Sequence, residues 1–344
     1  MIVADLVRAV LTRPRMEPDE ARAILQGHWA IDGELHRLPS ERDRNFEVRV
    51  DGQTRYVLKL SNAAEEAGSL DFQHQAMARL AEAGVPCQAP VPALDGRDIV
   101  DVGRDGTPTL ARLLTWLPGR PLATFPPGDR PFGLFHDLGR VMGRTATALV
   151  RFDHAAAHRA FQWDADRGLA IIEAHAPAIE KASRVALLGA WVERLGPLDA
   201  ALPELRHSVI HNDANDHNVL VSDDGRWVTG LLDFGDAIHS VLASELAVTA
   251  AYAALDAPDP LAVIAAVRRG FEELCPLRDD ESTWLVELVA LRLATSVALS
   301  AHQSRLDPDD AYLTVSEAPA WALLERLIAI EPAAAAAVVM ARGS

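Results

Sequence analysis

Three oxygen-bearing side chains flank one short hairpin in this sequence, and their types and spacing suit them to hold a divalent cation against phosphate. The stretch from Val209 to Ala237 reads VIHNDANDHNVLVSDDGRWVTGLLDFGDA. Val219 to Val221 is a short apolar run, Ser222 to Arg226 carries the turn residues Asp223, Asp224 and Gly225, and Trp227 to Leu232 is a second strand-like run. This pattern predicts a β-hairpin. Asn218 and Asp233 lie at similar distances from the turn, so pairing brings them to the open end, with Asp213 in the loop that enters it. Two carboxylates and a carboxamide oxygen then converge, a donor set suited to Mg²⁺, which prefers oxygen and shares its shell with phosphate and water. The chemistry implied is phosphoryl transfer. Two other readings stay open here: a polar turn before a hairpin, because Asp and Asn bond their own backbone, and an imidazole site for zinc from His207, His211 and His217, with no cysteine nearby. Within the first reading, His211 orients the loop.

Phosphate also calls for a cation. The chain has 33 basic residues but only two lysines. Lys59 lies in the alternating apolar run RYVLKL, which reads as a strand, whereas Lys181 falls in a charged helical stretch and reads as solvated. Between Leu38 and Val48 the sequence LPSERDRNFEV contains no glycine, which excludes both a Walker A loop and a glycine-rich loop. Ser40, Arg44 and Asn45 offer hydroxyl, guanidinium and amide donors there; the plain alternative is a polar hairpin turn.

These residues need a frame, and 344 residues suffice for a large core divided into two lobes. Met1 to Gly27 carries helical periodicity, Leu35 to Leu60 reads as two or three strands, and a helix runs from about Ser69 to Ala83. A strand-rich stretch from Pro90 to Leu117 ends at the turn Leu117-Pro118-Gly119, which marks a hinge. From Phe132 onward the pattern is helical, interrupted only by the hairpin, and the Ala-rich segment from Pro332 to Ala341 reads as a packed terminal helix. The expectation is an α+β chain with an N-terminal lobe over 1–117, including a helical extension over 1–34. A mainly helical C-terminal lobe over 118–344 carries the catalytic hairpin at 209–237. The net charge of −16 argues against nucleic acid or an anionic membrane as partner and is compatible with a cationic small substrate. Cys87 and Cys275, the lack of a signal peptide and the lack of an apolar run long enough to span a bilayer point to a cytoplasmic, reducing setting.

The segments LPSERDRNF, YVLKLSN, RLLTWLPGRP, HNDANDHNVLV, GLLDFGD and YLTVSEAPAWALLERL together resemble the aminoglycoside phosphotransferase and choline kinase superfamily, and within it the hydroxylysine kinase branch. That resemblance implies a protein-kinase-like two-lobed fold, with a small antiparallel-sheet lobe and a larger helical one. On the HxDxxxxN and DFG patterns it implies Asp213 as base, Asn218 and Asp233 on Mg²⁺, and Lys59 on the phosphates of ATP or GTP, the branch being known for GTP use. By the same alignment Thr115 and Leu117 present backbone groups to the purine, and Leu114 lines its pocket. Two positions depart from the pattern: Gln73 stands where a helix glutamate would orient the lysine, with Asp71 close by, and Asn212 stands where glycine is common. No activation loop or APE-like segment follows DFG, which favours a small-molecule acceptor over a protein.

The acceptor implied is an amino alcohol or hydroxy-amino acid, with 5-hydroxylysine foremost and homoserine, choline, ethanolamine and aminoglycosides open. Asp236, Asp216 and Glu245 are candidates for a substrate ammonium. Arg292, in the apolar run VELVALRLATSVALS, is the candidate for a carboxylate; its plain alternative is a buried salt bridge to a helix neighbour. Trp163 and Asp164 belong either to the pocket wall or to the core. A non-catalytic nucleotide-binding protein is the rival of another class, opposed by the presence of Asp213, Asn218, Asp233 and Lys59 together.

Overall fold

A computed structural model of the chain describes residues 14–40, 43–103, 108–306 and 316–341. The helical periodicity expected for residues 1–13, Glu41 and Arg42 of the proposed phosphate loop, and the stretch 312–315 lie outside the described residues.

The small lobe is built on alternation. Helix α1 (Pro18–Trp29) precedes strands β1 (Glu34–Leu38), β2 (Arg44–Val50) and β3 (Gln53–Leu60); helix α2 (Ala67–Glu82) and strands β4 (Val100–Asp101) and β5 (Leu110–Thr115) follow. The antiparallel sheet has the order β1-β2-β3-β5-β4. Asp51 and Gly52 form the two-residue turn between β2 and β3 with φ of 51° and 74°, the double left-handed geometry that matches strand twist in a tight hairpin. One face carries Phe46, Val48, Leu58, Leu60, Ala111 and Leu113, and α1 covers it with Ala21, Ile24, Leu25 and Trp29. Residues of opposite parity, Asn45, Lys59, Arg112 and Leu114, line the other face, towards α2 and the larger lobe.

The larger lobe continues through β6 (Arg120–Pro121), α3 (Phe132–Leu149), α4 (Gly168–His175) and α5 (Ala182–Ala201) to four short strands: β7 (His207–Ile210), β8 (Val219–Val221), β9 (Val228–Leu231) and β10 (Ile238–Val241). It ends in α6 (Ala243–Ala253), α7 (Pro260–Glu272), α8 (Asp279–Thr283), α9 (Leu285–Leu306), α10 (Glu317–Ile328) and α11 (Pro332–Met340). The pairing of β7 with β10 was not expected from the sequence: HSVI and IHSV are four residues long and half polar, too short for a periodic signal. The expectation that no apolar run reaches membrane-spanning length is corrected by α9, which is long and apolar enough by length and composition. Most of it is buried within the fold, and it carries the buried charges Glu287 and Arg292, so its apolarity serves the core.

Two glycines let α3 and α7 touch backbone to backbone. A Cβ on Gly270 would fall 1.9 Å from the His136 carbonyl oxygen, and one on Gly139 would fall 1.9 Å from that of Val267. Since backbone must shift to admit a methyl, Gly270→Ala is expected to lower unfolding free energy by about 2 kcal/mol or more, read by urea denaturation. An unchanged midpoint would mean that this helix contact is not tight.

Candidate active site

The hairpin expected from the sequence is β8–β9, with Ser222 N–H bonded to Trp227 O across its turn. At its open end Leu232 N–H donates to Asn218 O at 2.8 Å, which sets Asn218 beside Asp233. The β7–β10 pair brackets the same region from outside, so the chain leaves β7 into His211-Asn212-Asp213 and returns through Asp233 to Ala237.

The loop is tied down at several points. His211 accepts the Asp213 N–H on Nδ1 at 3.3 Å, its Nε2 faces Leu232 O at 3.0 Å, and its ring meets Phe234 edge-on. Burial pushes its pKa down to about 4, so it is a neutral ring, in keeping with an orienting residue. Asn212 holds φ of 65° without being glycine; asparagine tolerates that region, and here its amide also spans to the carbonyls of Trp163 and Asp236. Asp233 sits at φ of 55° and accepts the Gly235 N–H at 3.0 Å. Arg159, which no motif singled out, grips the carbonyls of Gly235 and Ala237 at 2.6 and 3.0 Å.

Asp213 lies at the centre. Its Oδ2 accepts from Asn218 Nδ2 at 2.7 Å, and its Oδ1 accepts from Asn215 Nδ2 at 3.0 Å and Arg292 Nη2 at 3.2 Å. Arg292 therefore pairs with the carboxylate expected to act as base, and not with a neighbour on its own helix. Its guanidinium lies 4.2 Å from the Trp163 ring centroid and near Tyr252, with Nε and Nη1 buried and unpartnered. Trp163 is thus part of the site wall; Asp164 is buried below it, accepting from Ser240.

Lys59 Nζ stands 3.8 Å from Asp233 Oδ2, bridging the lobes. Neither residue considered as its orienting partner bonds it. Asp71 is exposed and faces Gln75 and His154, while Gln73 is buried with its Oε1 unpartnered.

The other candidates separate clearly. Glu245 is fully buried beneath the loop, accepts the backbone N–H of His211, and has its pKa raised to about 7 by burial. Asp216 faces Arg130, which is anchored on the carbonyls of Leu122 and Phe125. Glu245 and Asp216 thus have partners within the chain, whereas Asp236 lies close enough for its charge to reach Asp213. Thr115 already uses its N–H on Ala89 and accepts from Gln88 on its carbonyl, so Leu117, whose N–H has no partner among the described residues, is the open donor of the hinge. Leu114 is buried beside it. Gly119, at φ of 114°, lets this turn rest on the hairpin: a Cβ would meet Thr229 Oγ1 at 2.2 Å. Ser40 Oγ accepts the Asp43 N–H, and Asn45 stands directly opposite Lys59 in the register.

The donor set fits a hard cation. Asn218 spends its amide nitrogen on Asp213, leaving its oxygen with the Asp233 carboxylate at the hairpin end, too few ligands for an all-protein cage and suited to an ion shared with phosphate and water. The zinc alternative lacks its cluster: among the described residues no group of three His, Cys, Asp or Glu is arranged to hold a metal ion, and His207 is engaged with Asp166 at 2.9 Å.

Burial, followed by the neighbouring charge of Asp236, pushes the Asp213 pKa up to about 8, while Arg292 and Asn215 oppose the shift. Ionising Asp213 in the free protein then costs stability: its contribution is present below the unfolded value of 3.8 and lost as pH rises through about 8. The melting temperature of the native chain is expected to fall relative to Asp213→Asn across that interval, and Asp236→Asn should move the fall to lower pH. Parallel curves for all three would show that Asp213 does not titrate there.

A family model described as phosphotransferase enzyme family matches residues 34–282. Hydroxylysine kinase of Bos taurus is 28% identical over 344 residues, covering 92% of this chain and 90% of that protein. Among solved structures, a microcompartment-associated aminopropanol kinase superposes with a TM-score of 0.68 at 20% identity, covering 89% of this chain and 95% of that one. An amicoumacin kinase in complex with AMP-PNP, Ca²⁺ and its ligand gives 0.66 at 15% identity, covering 87% and 91%. The kinase-like, two-lobed α+β fold expected from the sequence is thereby borne out.

Proposed function

Because this chain belongs to the phosphotransferase enzyme family, we propose that it transfers the terminal phosphate of ATP or GTP to the hydroxyl of a hydroxy-amino acid, with 5-hydroxylysine as the acceptor. The observation that carries the acceptor class is Arg292. A buried guanidinium that lies on Trp163 and touches Asp213 through Nη2, with Nε and Nη1 lacking partners, sets positive charge beside the base that a substrate carboxylate would meet. The similarity to hydroxylysine kinase over nearly the whole chain favours the same acceptor. Asp236 is the carboxylate assigned to the substrate ammonium.

In this reading the acceptor hydroxyl hydrogen-bonds the ionised form of Asp213, which the charge of Arg292 favours, and the carboxylate takes its proton as the oxygen bonds to the γ-phosphorus. The bond from that phosphorus to the β-phosphate oxygen breaks in line, and the nucleoside diphosphate departs with its charge against Lys59. Asn218 and Asp233 would hold Mg²⁺, which supplies charge neutralisation for the phosphates when bound. Leu117 N–H is the hinge donor for the purine.

Arg292→Met tests the acceptor class. It is expected to raise KM for 5-hydroxylysine by about 30-fold while changing KM for its carboxamide by less than about threefold. Equal losses for both acceptors would assign Arg292 to the base alone, and faster phosphorylation of choline or ethanolamine by the native chain would replace the amino-acid reading.

A further inference from the structure

The face of the small lobe that carries Lys59 holds a second cation that neither the motifs nor the family pattern assigns. In the sheet register Asn45 on β2, Lys59 on β3 and Arg112 on β5 are direct partners, so the three side chains form one row across the same face. Arg112 is 3% exposed. It makes no hydrogen bond or ion pair among the described residues, and its Nη1 is enclosed without a partner.

A guanidinium has five N–H donors and keeps its charge inside proteins, so a buried one with no acceptor is an incomplete arrangement. Its surroundings do not complete it. The α2 position from which a kinase glutamate would neutralise this region holds Gln73. The Oε1 of Gln73, the Nε2 of His74 and the Oδ1 of Asn45 are likewise buried and unpartnered. The carboxylates whose charge reaches Arg112 are Asp43, Asp233 and Glu65, and none bonds it. Asp233 is already shared with Lys59 and assigned to the metal. Burial and the charge of Arg112 push the His74 pKa down to about 3, so it adds no third charge to the recess. The recess therefore gathers two buried cations on adjacent strands, with no carboxylate bonded to Arg112, and this unpaired guanidinium beside Lys59 calls for an anion from outside the chain.

We propose that Arg112 is a second cation for the donor nucleotide's polyphosphate, acting beside Lys59 and supplying charge where the chain has no glycine-rich loop. This rests on the reading that the chain uses a nucleoside triphosphate. The row of Asn45, Lys59 and Arg112 contacts the phosphates from the sheet, while the hinge at Leu117 holds the base. Arg112 thus contributes to affinity for the phosphates and not for the nucleoside.

The test uses Arg112→Met in the full chain, with calorimetric titration of ATP, GTP, adenosine and guanosine in Mg²⁺ and a melting curve without nucleotide. The expected result is a loss of triphosphate affinity of about tenfold or more, unchanged nucleoside affinity, and a nucleotide-free melting temperature at or above that of the native chain, because an apolar side chain of similar reach replaces an unpaired charge. Native triphosphate affinity in Arg112→Met would overturn the proposal and leave the donor reading intact. So would a lowered nucleotide-free melting temperature with equal losses for nucleoside and triphosphate, which would mark Arg112 as structural. A native chain that binds neither triphosphate would instead remove the donor reading, and with it this role.

Discussion

Replacing Asp213 with asparagine is expected to lower turnover by about 10³-fold or more while leaving nucleotide affinity within about threefold of the native value. The substitution preserves shape and removes the one property the reaction needs, a carboxylate that accepts the hydroxyl proton. Asp213 is the side chain on which Asn215, Asn218 and Arg292 all converge, and each of these contacts is a donor aimed at a carboxylate oxygen. An asparagine keeps the loop nearly in place, because His211, Asn212 and Glu245 hold its backbone independently. The lobes and the Lys59–Asp233 bridge are untouched, so the nucleotide should bind as before. Steady-state rates combined with nucleotide titration check this. Turnover within tenfold of native would assign the proton to another group or to solvent.

The second large effect is Asp233→Ala. Asp233 is the carboxylate at the hairpin end and the partner of Lys59, so its removal takes away a proposed metal ligand and the contact that sets the lysine across the cleft. Turnover is expected to fall by about 10³-fold or more, and the dependence of nucleotide affinity on Mg²⁺ should disappear. The contrast with Asp213→Asn is the informative part: one variant loses the chemistry and keeps Mg²⁺-dependent binding, the other loses both. Titrating nucleotide with and without Mg²⁺ separates them. Retained Mg²⁺ dependence in Asp233→Ala would move the metal to other residues.

Much of this site was legible because its residues are local. Asp213, Asn218 and Asp233 lie within a single hairpin, where turn chemistry and short apolar runs set the register, and Lys59 stood out as one of two lysines on an alternating strand. What the sequence concealed depends on contacts between distant elements. Arg292 reaches Asp213 across 79 positions, so its helix offered no clue to that partner beyond an isolated charge on an apolar run. Arg159 holds the segment after Asp233 through carbonyl oxygens, which leave no mark on side-chain patterns. Glu245 and Asp216 looked like acids available to a substrate because burial cannot be read from type; in the fold one is sealed under the loop and the other faces Arg130. Arg112 belongs to no motif, and only the register sets it beside Lys59 on a covered face. In the frame, the strands of the small lobe were visible through their alternation, while β7 and β10, half polar and four residues long, gain their form only by pairing with each other.

The measurement that tests the central claim most directly is phosphorus NMR of the purified chain with Mg²⁺, ATP or GTP, and 5-hydroxylysine. The prediction is a phosphomonoester signal that grows as the γ-phosphate signal declines, in equal amounts, and only when the acceptor is present. A γ-phosphate that remains intact, or one that is released as inorganic phosphate at the same rate with and without 5-hydroxylysine, would contradict it.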